Sequence, residues 1–167
     1  MTPPSTPRLL IVDDEPDAGR ILSKILSEQG FVVKTAASGE EGLKIVEKEA
    51  LDLVLLDVVL PPWDGVETLR RIKSARPFIP VIMMTGFETV KTAVEAMKCG
   101  AYDYLAKPLP MDRLPKILRQ AIQLKTLERS SSHLVTKPLE PLTPEEMVGE
   151  HLSMVSILDL VRRIAPQ

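Results

Sequence analysis

Five times between residues 8 and 125 the chain repeats one pattern: a short apolar run, a turn, then a stretch of helical periodicity. The runs are residues 9–12, 31–35, 53–56, 81–84 and 101–105. They are nearly continuous in apolar or β-branched character, which suits strands covered on both faces of a sheet. Between them, Ile21, Leu22, Ile25 and Leu26 mark one face of a helix over residues 16–29 that stops at Gly30. Ser38, with Glu41 three residues on, opens a second helix carrying Leu43, Ile45 and Val46. A third begins near Asp64 and buries Val66, Leu69 and Ile72, and a fourth spans residues 88–98 and ends at Gly100. A fifth begins near Asp112, with Pro115 tolerable because it lies in the first turn. Strands alternating with helices over short connections require right-handed crossovers and a parallel sheet covered on both sides. The expected fold is α/β, a doubly wound five-stranded parallel sheet.

Composition narrows the function classes. With 44% hydrophobic and only 4% aromatic residues, the core is expected to be aliphatic. A formal charge of -2 gives no basic footprint for nucleic acid. Cys99 is the single cysteine, so no internal disulfide or thiolate metal cluster can form, and it reads as a small buried or half-buried side chain on a helix. The longest apolar runs are far too short to cross a bilayer. The first residues lack a cationic segment followed by an apolar stretch, so no signal peptide is visible and a cytoplasmic location is expected.

The domain organisation follows. Residues 1–7 are Pro-rich and read as a flexible tail, and residues 8–125 hold the repeating pattern. Residues 126–144 read as a linker, made of the end of the fifth helix and a Pro-spaced segment at 136–144. Along the fifth helix Leu114, Ile117, Ala121 and Leu124 recur at spacings of three and four, and Leu127 extends the stripe. That stripe packs on the sheet over its first half, while its extension toward Arg129 suits either the same packing or a seam between two subunits. In residues 145–167, Val155, Leu158, Val161 and Ile164 share one face of a last helix.

In an open parallel sheet the ligand site lies at the carboxyl ends of the strands. The first strand ends in Asp13 and Asp14, the third in Asp57, the fourth in Thr85, and the fifth is followed by Lys107 and Pro108. Taken alone, Asp14 suits a helix cap, and a Thr at a strand end is usually structural. Together the three carboxylates repel one another and need a counter-ion. Hard oxygen ligands without His or Cys point to Mg²⁺. A carboxylate beside that ion and an ammonium is equipped for nucleophilic attack on phosphorus, with Thr85 placed to report the phosphate.

These residues fall into four motifs: Asp13–Asp14, the run from Asp57 to Gly65, Met84-Thr85-Gly86, and the run from Ala101 to Pro108. In that order and spacing, the chain over residues 8 to about 125 resembles the receiver domains of two-component response regulators. The resemblance implies the CheY-like, flavodoxin-like fold and a phosphoryl group accepted on Asp57 from a histidine kinase. It implies Mg²⁺ held by Asp13, Asp14, Asp57 and the backbone carbonyl of Val59, with Thr85 and Lys107 on the phosphate. It also implies an aromatic switch at Tyr104 that turns inward when Thr85 moves toward the phosphate, and a cis Lys107–Pro108 bond. Pro62 replaces a glycine frequent in relatives, and Trp63 reads as a surface aromatic. Val59 and Phe87 flank the approach of hydrolytic water, where apolar side chains are expected to slow loss of the phosphoryl group.

Residues 94–105 look like the NtrC-like branch of the family, and residues 147–165 resemble the opening of that branch's AAA+ output domain. No G-x-x-x-x-G-K-[ST] loop occurs in the sequence, so the chain is expected to hydrolyse no ATP by itself. It reads as the front part of a longer regulator, or else as a short regulator with a similar tail. Contacts with sigma-54 RNA polymerase and DNA would come only through output domains outside it. Two other classes use related parts. A phosphatase of the haloacid-dehalogenase type wants a second Asp two positions after its nucleophile, where Val59 stands. A flavodoxin-like nucleotide binder wants a Gly-rich loop where this chain has Asp13-Asp14-Glu15-Pro16.

Overall fold

The computed structural model describes residues 6–86 and 90–131, with side chains as far as Lys125. The first of its two units ends at Lys125. Five strands and five helices alternate: β1 (Arg8–Val12), α1 (Pro16–Glu28), β2 (Val32–Ala36), α2 (Gly39–Lys48), β3 (Leu53–Asp57), α3 (Gly65–Ala75), β4 (Val81–Thr85), α4 (Val90–Lys98), β5 (Asp103–Ala106) and α5 (Leu114–Ser131). The sheet order is β2-β1-β3-β4-β5, and every pairing is parallel. The doubly wound α/β fold expected from periodicity is the one formed.

The core divides by strand parity. Leu9, Ile11, Leu53, Leu55, Ile82 and Met84 face Leu22 and Leu26 of α1 and Leu114, Leu118 and Ala121 of α5. Alternate residues point to the other side, where Val12 lies against α2 so closely that a Cβ at Gly42 would come within 2.9 Å of it. All five residues of β3 and of β4 are buried, as continuous apolar runs in central strands should be.

Three details depart from the sequence reading. The β2 run is not covered on both faces, because β2 is an edge strand in which Val32 is 47% exposed and only Ala36 is buried. Ile21 is 62% exposed, since the buried stripe of α1 is Gly19, Leu22 and Leu26. The β5 ladder begins at Asp103 rather than 101, because residues 99–101 still close α4: Gly100 has φ +91°, and the Ala101 N–H donates to the Ala96 carbonyl.

The stripe on α5 is largely used within the domain, with Leu114 and Ala121 buried and Ile117 packed against the same core. The Leu127 side chain, Phe87, residues 1–5 of the tail, the linker at 136–144 and the helix within 145–167 lie outside the described residues.

Candidate functional site

Four of the five strands, β1, β3, β4 and β5, deliver a polar residue to the carboxyl edge of the sheet through the same device, an apolar strand that ends one residue short of it or on it. Asp13 follows β1 and is 5% exposed. Its N–H donates to the Ala36 carbonyl, and its Oδ1 accepts the N–H of Glu15 at 2.9 Å, closing a turn two residues long. Asp14 is exposed and does not cap α1, whose N-cap is Glu15 without any side-chain cap bond. Asp57 ends β3, is 5% exposed, and accepts the Val59 N–H at Oδ1 (3.0 Å).

The return from Asp57 into α3 depends on Gly65. Its N–H donates to the Val58 carbonyl at 2.8 Å, and a Cβ there would overlap the Asp57 carbonyl oxygen and stand 2.7 Å from Val58 Cα. Only glycine lets the helix start this close to the strand end. Asp64 then caps α3 by accepting the Glu67 N–H at 2.6 Å. Trp63 sits half-buried in this loop with the Arg71 guanidinium 4.2 Å above its ring, the surface role expected of it.

Thr85 closes β4 beside Met84, the register partner of Asp57, and is 1% exposed. Its carbonyl accepts the Lys107 N–H. Lys107 extends from the end of β5 and places its ammonium between two carboxylates, on Asp13 Oδ2 at 2.9 Å and on Asp57 Oδ2. Burial works against the charged ammonium, but the hydrogen bonds and charges of Asp57 and Asp13 outweigh it and hold the Lys107 pKa above the ordinary lysine value. The Lys107–Pro108 bond is cis, as is Pro61–Pro62.

Asp13, Asp14 and Asp57 each bring a carboxylate oxygen within 4.8 Å of the others. This set fits a hard divalent cation: every donor is oxygen, and two of the three carboxylates are buried with one oxygen committed to a backbone N–H and the other to Lys107. The exposed Asp14 leaves the cluster open to solvent on one side, the arrangement suited to an ion that keeps several waters.

The structure thus brings together Asp13, Asp14, Asp57 and Lys107, with Thr85 on the neighbouring strand. Val59 joins them through its N–H to Asp57, while its side chain is 53% exposed. Tyr104 lies on β5, 8% exposed, with its hydroxyl 3.2 Å from Thr92 Oγ1 on α4. Thr92 belongs to none of the four sequence motifs, and Gly65 stands in them only as the end of the Asp57 run, without a role of its own. A Thr inside a helix carries no signal of its own, whereas the glycine after Asp64 had one in its position beside a helix cap.

Residues 9–119 match the response regulator receiver domain family. The chain belongs to that family. It is 38% identical over 160 residues to the transcriptional regulatory protein ZraR of Escherichia coli O157:H7, covering 95% of this chain and 35% of that protein. A CheY-like receiver domain from Methanospirillum hungatei superposes with a TM-score of 0.72 at 32% identity, over 74% of this chain and 99% of that one. The crystal structure of NtrX from Brucella abortus in complex with ATP gives 0.72 at 34% identity, over 97% of this chain and 35% of that one. The receiver is of the NtrC-like branch, in agreement with the sequence of residues 94–105. The chain spans about a third of the length of the curated relatives it matches.

Proposed function

We propose that this receiver accepts a phosphoryl group from a sensor histidine kinase on Asp57. The observation that carries the reading is the convergence of Lys107 on Asp13 and Asp57 beside Asp14, a neutralised but solvent-open acidic cluster at one strand edge. In the transfer, an Asp57 carboxylate oxygen forms a bond to phosphorus as the bond from phosphorus to the donor's imidazole nitrogen breaks. Mg²⁺ held by Asp13, Asp14, Asp57 and the Val59 carbonyl would supply positive charge against the phosphoryl oxygens. Lys107 stabilises the same charge from the other side, and its ammonium is already positioned on the nucleophile. Thr85 turns its hydroxyl to a phosphoryl oxygen, and Tyr104 follows as the switch toward the face formed by α4, β5 and α5.

The chain catalyses only its own phosphorylation and dephosphorylation. Its output is the control of dimerisation and of a sigma-54-activating AAA+ domain that begins at residues 145–167, after a linker at 126–144. Alignment with ZraR over 160 residues, well past the receiver, supports that continuation. A subunit seam on α5 would draw on the stripe beyond Ala121, since Leu114, Ile117 and Ala121 are spent in the core. A dehalogenase-type phosphatase has no support in the geometry: Val59 carries no proton to give or take.

The test is intact-protein mass after incubation with phosphoramidate and Mg²⁺. Wild type is expected to gain one phosphoryl group, and Asp57→Asn or added EDTA to abolish the gain. A wild type that forms no adduct and binds no beryllofluoride would overturn the proposal.

A further inference from the structure

The Tyr104 ring is held where a hydroxyl has to find a partner inside the protein. It stands on β5 opposite Met83, and its oxygen reaches across to α4, 3.2 Å from Thr92 Oγ1. The ring is 8% exposed and the pair is part-buried, so the Thr92 hydroxyl is the partner the described residues give it. The helix that supplies Thr92 is itself fixed. Ala93 and Ala96 are buried, and Arg70 of α3 bonds Glu95 at 2.8 Å and Cys99 Sγ at 3.3 Å. The Thr92–Tyr104 pair therefore joins an anchored helix to the strand that leads directly into Lys107.

We propose that Thr92 is the positioning residue for Tyr104, its hydroxyl latching the ring in the buried position and tying α4 to β5. Replacing Thr92 by Val keeps the shape and puts a methyl group where Oγ1 stands. A buried Tyr104 hydroxyl then faces an apolar group, and rotation of the ring toward solvent is the way to rehydrate it. One neutral hydrogen bond is worth a shift of about two- to tenfold in the ratio of buried to exposed ring. The latch does not depend on the phosphoacceptor reading. Its consequence does: if the buried ring and the approach of Thr85 to the phosphoryl group are one equilibrium, Thr92→Val weakens beryllofluoride binding by that same factor.

The experiment uses the 167-residue chain labelled with ¹³C in its two tyrosine rings, Tyr102 and Tyr104. Tyr104 resonances are assigned by their loss in Tyr104→Phe, and ring exposure is read as relaxation by a soluble gadolinium chelate. Tyr104 is expected to be equally protected in wild type and Thr92→Ser, and its exposed fraction to rise about two- to tenfold in Thr92→Val. A folded Thr92→Val protein whose Tyr104 stays as protected as in wild type overturns the latch. Beryllofluoride titration with Mg²⁺ gives the second readout, and there the double variant Thr92→Val, Tyr104→Phe discriminates. With no hydroxyl left to hydrate, its ring stays in, so its affinity recovers relative to Thr92→Val alone; equal or additive losses reject the mechanism. Should Thr92→Val not fold, Thr92→Ala is read instead, and a Tyr104 there as protected as in wild type overturns the latch. Absence of beryllofluoride binding by the wild type would instead sink the phosphoacceptor reading and leave the ring-exposure result standing.

Discussion

Lys107→Met removes an ammonium that neutralises two buried carboxylates while keeping most of the side-chain volume. Asp13 and Asp57 are each 5% exposed, and each gives an oxygen to Lys107. Two charge-assisted hydrogen bonds are worth about 1.5–3 kcal/mol each in the interior. The lysine side chain is 28% exposed, so solvent screens part of that, and water can enter to solvate the carboxylates. The expected loss is about 2–4 kcal/mol at neutral pH without divalent cations, read from urea unfolding followed by circular dichroism. Two further readings make the cause specific. Millimolar Mg²⁺ should stabilise the variant more than wild type, because the ion replaces the missing counter-charge. At the alkaline end, the raised Lys107 pKa means its contribution is fully present below about 10.5 and fades as pH rises through the folded value, so wild type and variant converge there. A loss under about 1 kcal/mol, or one indifferent to Mg²⁺ and pH, would refute the electrostatic account of the cluster.

Gly65→Ala forces a Cβ into the Asp57–Val58 backbone, where the neighbours cannot swing aside, and is expected to cost about 1–3 kcal/mol in the same unfolding assay; a cost within 0.5 kcal/mol would mean the loop gives freely. Burial, only partly offset by the N–H of Tyr104, raises the Asp103 carboxyl above its usual range. Its folded pKa exceeds the unfolded one, so ionising it costs stability as pH rises from about 3.8. Asp103→Asn should therefore stabilise the protein at pH 7 and make no difference below that range, which thermal unfolding at the two pH values will check.

The periodicity of residues 8–125 settles the fold class, because strand and helix periods are local and the order of elements is one-dimensional. The chemistry at the site is visible for the same reason: Asp13, Asp57, Thr85 and Lys107 each stand where an apolar run stops, and strand ends in a parallel sheet share an edge. What periodicity cannot assign is strand order. Placing β2 at the edge, which leaves Val32 exposed, and setting β1 beside β3 and β3 beside β4 is a matter of which faces pack best across the whole molecule. That order brings Lys107 onto carboxylates 94 and 50 positions away in the chain. The rotation of each helix is likewise set by its contacts, so Ile21 points outward although it belongs to an apolar run. Thr92 and Tyr104 meet only because α4 packs over β5, and no spacing rule joins a helix threonine to a strand tyrosine twelve residues on. Local pattern chose the elements and their polar ends, and long-range packing chose which of those ends touch.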